Sequence, residues 1–181
     1  MIPPLAIIRP ATLADLPALF AYLGEQLAEN GRDGLLFQPM APTPDGVPQA
    51  MRERFAVGMA TPVGQPGWRH AWIALDAAGS IAGHVDLRGR PEPGCAHRAL
   101  LGMGVRHDLR RVGLGTRLVQ EALGWARIVG FAWVDLEVLA QNHKARALYA
   151  RSGFVQTGEV ADLYRIGGRQ VGAVSMSFRL D

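Results

Sequence analysis

Between an apolar run at residues 99–105 and a helical stripe that follows it, the chain reads Arg110-Arg-Val-Gly-Leu-Gly115. Leu114, Leu118, Ala122, Trp125, Ala126 and Val129 recur at helical spacing, with Arg117, Gln120, Glu121, Gly124 and Arg127 opposite. A strand that feeds through a glycine-rich turn into an amphipathic helix implies a layered α/β architecture. It also implies chemistry. The first N–H groups of a helix lack internal partners, and the helix dipole adds partial positive charge. Glycines at 113 and 115 let the backbone approach a ligand, and two arginines add full charge, so the turn suits a phosphate or pyrophosphate. The bland alternative is a glycine-rich helix start carrying a solvated arginine pair. Gly102-x-Gly104-x-x-His107 is no dinucleotide fingerprint, since it lacks the third glycine and lies inside the strand, and the chain has no GxxxxGK[ST] loop.

The rest of the pattern alternates strand and helix. Residues 5–8 read as a first strand, and a helix runs from Thr12 or Asp15 to Gly31, with Pro17 favouring Asp15 as N-cap. Residues 31–48 hold many Gly and Pro and read as a loop. A short helix is expected over 49–59, a hairpin over 70–75 and 81–87, a strand over 133–139 and a helix over 142–152 stopped by Gly153. Strands over 155–160 and 171–178 close the order β-α-α-β-β-β-α-β-α-β-β. Hairpins mixed with crossover helices predict a mixed sheet with helices on both faces, in a single domain over residues 1–181.

Composition narrows the classes. The only cysteine, Cys95, excludes an internal disulfide, and the five histidines show no metal-binding spacing, so no metal is expected. Net charge is +3, and 18 of the 19 basic residues are Arg, scattered along the chain. A local anion site fits this better than a nucleic-acid surface. No apolar run approaches the ~18 residues of a membrane span, and the N-terminus has no signal-peptide pattern, so a cytoplasmic protein without membrane contact is expected.

Arg-x-x-Gly-x-Gly after a strand ending Gly-Val-Arg resembles the coenzyme A pyrophosphate motif of the GNAT acetyltransferases, Q/R-x-x-G-x-G/A. A second stretch, Asn142-His-Lys-Ala145-Arg-Ala-Leu-Tyr149-Ala-Arg-Ser-Gly153-Phe154, resembles the family's N-x-x-A-x-x-L-Y-x-x-x-G-F. Two motifs in order, each in its structural context, are far more specific than either alone. The resemblance spans roughly residues 70–180. It implies the GNAT fold, an α/β arrangement with a central mixed, mostly antiparallel sheet of about seven strands.

It also implies a site. Arg110, Arg111, Val112, Gly113, Leu114, Gly115 and Thr116 correspond to the pyrophosphate cradle. Met103, Gly104 and Val105 correspond to a splayed strand edge that pairs with the pantetheine amides. Asn142 would bind the coenzyme A arm, though its position also suits a plain N-cap. Tyr149 matches the residue that protonates the leaving thiolate; otherwise it is a core aromatic. Acetyl-coenzyme A is the implied cosubstrate, without an acyl-enzyme. The acceptor ammonium, with a pKa near ~10, must lose a proton, and the base is left open. Glu137 matches the catalytic Glu of the ribosomal-protein N-terminal acetylating branch. His84, Asp86, His97 and a water chain are alternatives, with His84 and Asp86 assigned to opposite faces of their strand.

The segments around His97–Val105, Gly124–Ala126 and Gly153–Gly158 look closest to bacterial amino-acid and small-amine acetyltransferases. Gly167-Gly-Arg-Gln-Val-Gly172 departs from the D-G-x-Y-x-D that often ends those chains. The expected substrate is a primary amine of a small molecule: an amino acid, a polyamine-like or a xenobiotic amine. A non-catalytic coenzyme A-binding or interaction module is the alternative and, among enzymes, protein N-terminal acetylation. Substrate choice is expected in the first helix pair, residues 31–60 and the loop 88–98, with the protein a monomer or homodimer.

Overall fold

The computed structural model describes residues 7–32 and 34–180. Its elements follow the expected order: β1 (Ile7–Pro10), α1 (Leu16–Glu29), α2 (Gln49–Ala60), β2 (Arg69–Leu75), β3 (Ile81–Gly89), β4 (Arg98–Val105), α3 (Leu114–Val129), β5 (Trp133–Leu139), α4 (His143–Arg151), β6 (Val155–Ile166) and β7 (Arg169–Arg179). Residues 5 and 6 of the expected first strand lie outside the described residues. The seven strands form one sheet in the order β1-β2-β3-β4-β5-β7-β6. Every neighbouring pair is antiparallel except β4–β5, where α3 provides the crossover.

Helices cover both faces. Leu19 and Tyr22 of α1 and Phe55 of α2 pack on Ala71, Ile73 and Ile81 on one face. On the other, α3 and α4 bury Leu118, Val119, Ala122 and Tyr149 against Trp72, Val85, Leu87 and Val134. Leu118 is fully buried, so truncating it to Ala would cost about 2–5 kcal/mol by lost transfer energy and cavity formation. The buried stripe of α3 is rotated from the expected one. It comprises Leu114, Gly115, Leu118, Val119, Ala122, Leu123 and Ala126, while Val129 is exposed and Trp125 only half-buried. Trp125 stacks flat on His70 at 4.5 Å, an aromatic contact at the sheet margin that periodicity alone does not separate from core burial.

Thr12 and Asp15 share the start of α1. The Asp15 carboxylate accepts from Thr12 N–H (2.8 Å) and hydroxyl (2.9 Å) and pairs with Arg9 at 2.7 Å. A 3-10 turn over Leu13–Asp15 precedes the α-helix.

Residues 34–40 of the expected loop are anchored on two sides. Asn30 is completely buried; its Oδ1 accepts from Phe37 and Gln38 N–H, and its Nδ2 donates to the Gln38 and Met40 carbonyls. Leu36 packs on Leu139, Ile166 and Val171, and Arg169 Nη1 donates to the Gly34 carbonyl at 2.9 Å. The segment therefore bridges from the end of α1 to the β6–β7 hairpin.

Candidate active site

The sheet opens in its middle. Among the described residues, β4 and β5 pair only from Arg98 to Leu100 with Trp133 to Asp135. β4 continues to Val105 and β5 to Leu139, each held by its other neighbour: β3 for β4, β7 for β5. From Leu101 to Val105 the edge of β4 facing β5 is thus outside that ladder. This is the splay expected around Met103, Gly104 and Val105, and those three residues are half-buried. Backbone groups on such an edge need partners, and an extended ligand can supply them.

The turn that follows lies at the mouth of the wedge. Arg111 has φ 68° and Gly113 φ 85°, a left-handed pair that bends the chain sharply before Leu114 starts α3. The first helical N–H returned to a carbonyl is that of Arg117, to Gly113 at 3.2 Å, so those of Leu114, Gly115 and Thr116 precede the intrahelical bonds. Arg111, Val112 and Gly113 are exposed. Gly115 is needed for packing: a Cβ there would lie 2.7 Å from Leu148 Cδ1 and 3.3 Å from Met103 Cε. That contact brings β4, α3 and α4 together at one point. The side chain of Arg110 turns away from the helix start. Its Nε donates to the Val105 carbonyl at 2.9 Å, Nη2 lies 3.4 Å from Gln26 Oε1, and its plane sits over Phe37.

On α4, Asn142 is an N-cap: its Oδ1 accepts from Ala145 N–H at 3.2 Å. Tyr149 is buried, with its ring edge towards Phe154 at 5.8 Å. Burial raises its phenol above the usual value, so it stays protonated.

On the opposite face, beneath α1 and α2, β3 carries two buried polar side chains. His84 and Asp86 share this face, contrary to the expectation of opposite faces, because residues two apart in a strand point the same way. Both are buried and lie over glycines of β4: a Cβ on Gly104 would be 3.0 Å from His84 Cε1, and one on Gly102 would be 2.9 Å from Asp86 Oδ2. The two glycines therefore allow close side-chain approach. His84 Nδ1 is 3.5 Å from the Tyr22 hydroxyl. Burial pushes its imidazole down to about 4, with Asp86 opposing and Arg69 assisting, so the ring is neutral near pH 7. Asp86 pairs with Arg69 at 3.4 Å and Arg88 at 3.3 Å.

Across the wedge, Glu137 is exposed on β5 and accepts a hydrogen bond from the Tyr164 hydroxyl. His97 is exposed beyond the N-terminal end of β4. Among the described residues, no group of three or more His, Cys, Asp or Glu could hold a metal ion, and no helix is long and apolar enough to cross a membrane.

Residues 43–154 match the family model described as acetyltransferase (GNAT) family. The chain belongs to the GNAT family. N-acetyltransferase family 8 member 3 of Mus musculus is 31% identical over 111 residues, covering 60% of this chain and 49% of the mouse protein. The GNAT chain thus spans about half the length of that relative. The L-methionine sulfoximine/L-methionine sulfone acetyltransferase of Pseudomonas aeruginosa is 26% identical over 97% of this chain and 95% of its own. Among solved structures, a GNAT superfamily phosphinothricin acetyltransferase from Sinorhizobium meliloti, in complex with acetyl-coenzyme A, superposes with a TM-score of 0.80. It is 21% identical, and the match covers 97% of this chain and 88% of that one.

Within this GNAT fold, sequence reasoning singled out the turn, the splayed strand and α4, which the structure brings together around Gly115. It missed Tyr164, which lies on β6 beyond the end of the strand expected over 155–160. It also missed Tyr22, Gln26 and Glu29, spaced at i, i+4 and i+7 on α1. Gln26 and Glu29 reach Arg110, Glu29 at 3.8 Å, and Tyr22 reaches His84.

Proposed function

We propose that the protein transfers an acetyl group directly from acetyl-coenzyme A to the primary amine of a small molecule. The observation that carries this reading is the short β4–β5 ladder, which leaves a wedge running from the fork at Leu100 to the turn at 110–116. A pyrophosphate on the N–H groups of Leu114, Gly115 and Thr116, with Arg111 beside it, leaves the pantetheine arm to run along Leu101–Val105. The thioester then falls near Gly102, at the closed end of the wedge.

In this reading the acceptor amine comes from the α1/α2 face and Tyr149 serves from the α3/α4 face. The amine first gives up a proton, to Glu137 or to water held by it. Its lone pair then forms the C–N bond, a main-chain N–H of β4 stabilises the carbonyl oxygen, and as the C–S bond breaks the second proton of the nitrogen passes to the departing sulfur, giving the amide and free coenzyme A. A thiol titrates near ~8.5 and a phenol near ~10, and burial raises Tyr149 further. Tyr149 therefore supports the leaving thiolate chiefly by donating a hydrogen bond. Asn142 caps α4 and faces the same arm. Relatives that act on methionine sulfoximine and phosphinothricin, both amino acids, support an amino-acid-like acceptor.

The test is thiol release from acetyl-coenzyme A across a panel of amines, with Tyr149→Phe beside wild type. Turnover that falls about tenfold or more in the variant, with acetyl-coenzyme A affinity retained, supports the reading. Tight binding without turnover of any amine would make the chain a coenzyme A-binding module instead.

A further inference from the structure

Two lips bound the open end of the wedge, Val105 at the end of β4 and Leu139 at the end of β5. The Arg106 N–H donates at 2.9 Å to the carbonyl of Ala82, which lies opposite it in the β3–β4 register. Bonded and unbonded pairs alternate in an antiparallel ladder, so Leu101, Met103 and Val105 turn their N–H and C=O groups away from β3 and into the wedge. One of these carbonyls is already taken, since Arg110 Nε donates to Val105 at 2.9 Å. The same guanidinium donates through Nη2 to the buried Gln26 at 3.4 Å and lies 3.8 Å from Glu29 Oε2. That carboxylate oxygen is shielded from solvent and has no hydrogen-bond partner among the described residues, so its charge is balanced by Arg110. The guanidinium carbon also sits 5.6 Å from the centre of the Phe37 ring, and the neighbouring Leu36 packs on Leu139. Residues 36 and 37 therefore span the two lips. Leu36 is seated on the β5 side, and Arg110 holds Phe37 to the β4 side.

We infer that Arg110, although it opens the R-x-x-G-x-G turn, is a positioning residue for the acceptor side and not a ligand of the pyrophosphate. It fastens residues 36 and 37, and with them the C-terminal half of α1, to the β4 lip of the wedge. Its kinetic consequence rests on the acetyltransferase reading. Pyrophosphate recognition is left to the N–H groups of Leu114, Gly115 and Thr116 and to the exposed Arg111. A guanidinium suits such a clasp, because its planar fork donates in several directions while its face lies against an aromatic ring. The amine, arriving on the α1/α2 face, meets a wall whose position Arg110 sets. Loss of Arg110 loosens that wall and leaves the glycine turn in place.

The experiment compares wild type with Arg110→Gln, Arg110→Lys and Phe37→Leu. Calorimetry gives the dissociation constant of acetyl-coenzyme A, and steady-state assays give KM for L-methionine sulfone, an acceptor of the Pseudomonas aeruginosa relative. Hydrogen exchange follows the amides of Phe37 and Gln38, whose N–H groups donate to Asn30, with Leu118 of α3 as the control. Arg110→Gln is expected to raise both KM and the two exchange rates about tenfold or more, the scale of one hydrogen bond from a charged donor. Acetyl-coenzyme A affinity should stay within about twofold. Arg110→Lys, which keeps the charge without the fork, should restore only part of the loss, and Phe37→Leu should repeat the rise in KM. Acetyl-coenzyme A affinity that falls about tenfold in Arg110→Gln and returns in Arg110→Lys, with exchange unchanged, would overturn the inference. Exchange that rises equally at Leu118 would overturn it too, since overall stability would then be what was lost. Faster exchange confined to Phe37 and Gln38, in a protein that turns over no amine, would keep the clasp and sink the acetyltransferase reading.

Discussion

The Tyr164 hydroxyl on β6 donates a hydrogen bond to Glu137 Oε1 on β5, reaching over β7, which lies between the two strands. Burial first, and the Glu137 carboxylate second, push the Tyr164 phenol up to about 12. The hydroxyl is thus a standing donor that fixes one oxygen of the carboxylate. In the proposed reaction, where Glu137 takes the proton of the amine, Tyr164 positions it. Tyr164→Phe should lower kcat about tenfold or more, the worth of one hydrogen bond to a charged group, while acetyl-coenzyme A affinity stays unchanged. Steady-state kinetics with calorimetry checks this, and an equal loss in both quantities would instead indicate a structural role.

His84 makes stability depend on pH. An unfolded histidine titrates near ~6.5, whereas the folded one is held down to about 4 by burial. Below the unfolded value the unfolded chain takes up a proton that the folded chain refuses. The contribution of His84 is therefore complete above ~6.5 and declines as pH falls towards 4, by roughly 3 kcal/mol in all. Denaturant titrations at pH 7.5 and 4.5 should show a smaller difference for His84→Gln than for wild type. Parallel curves would contradict the assignment.

The two glycines of the turn should fail for different reasons. Gly113 has φ 85° with nothing within 4 Å of a Cβ, so Gly113→Ala meets backbone strain alone, about 1–2 kcal/mol. Gly115 has ordinary helical geometry, but a Cβ would meet Leu148 and Met103. Gly115→Ala should cost about 1–3 kcal/mol by overpacking and should also displace the edge of β4. Both variants are expected to lower Tm, and only Gly115→Ala should perturb the amide signals of Met103 and Leu148.

What was legible in the sequence was local. The turn at 110–115 and the Asn142–Tyr149 spacing each lie within one element, where glycine placement and helical periodicity suffice. The contacts that assemble the acceptor side are set by strand register, which no single segment encodes. His84 and Asp86 were misassigned for want of a simple count along the strand. Tyr164 was passed over because Asp162, with φ 53°, breaks the pairing between Val160 and Tyr164; the expected strand stopped at 160. The loop 31–48 hid its order because one buried residue, Asn30, supplies four hydrogen bonds that composition does not signal.

Calorimetric titration with acetyl-coenzyme A, wild type against Gly113→Asp, tests the account at its centre. The variant places a carboxylate at the exposed start of α3, where a pyrophosphate would have to sit. The account predicts binding at about micromolar dissociation constant for wild type and its loss in a variant whose folding is verified by circular dichroism. Well-folded wild-type protein that does not bind acetyl-coenzyme A would contradict it.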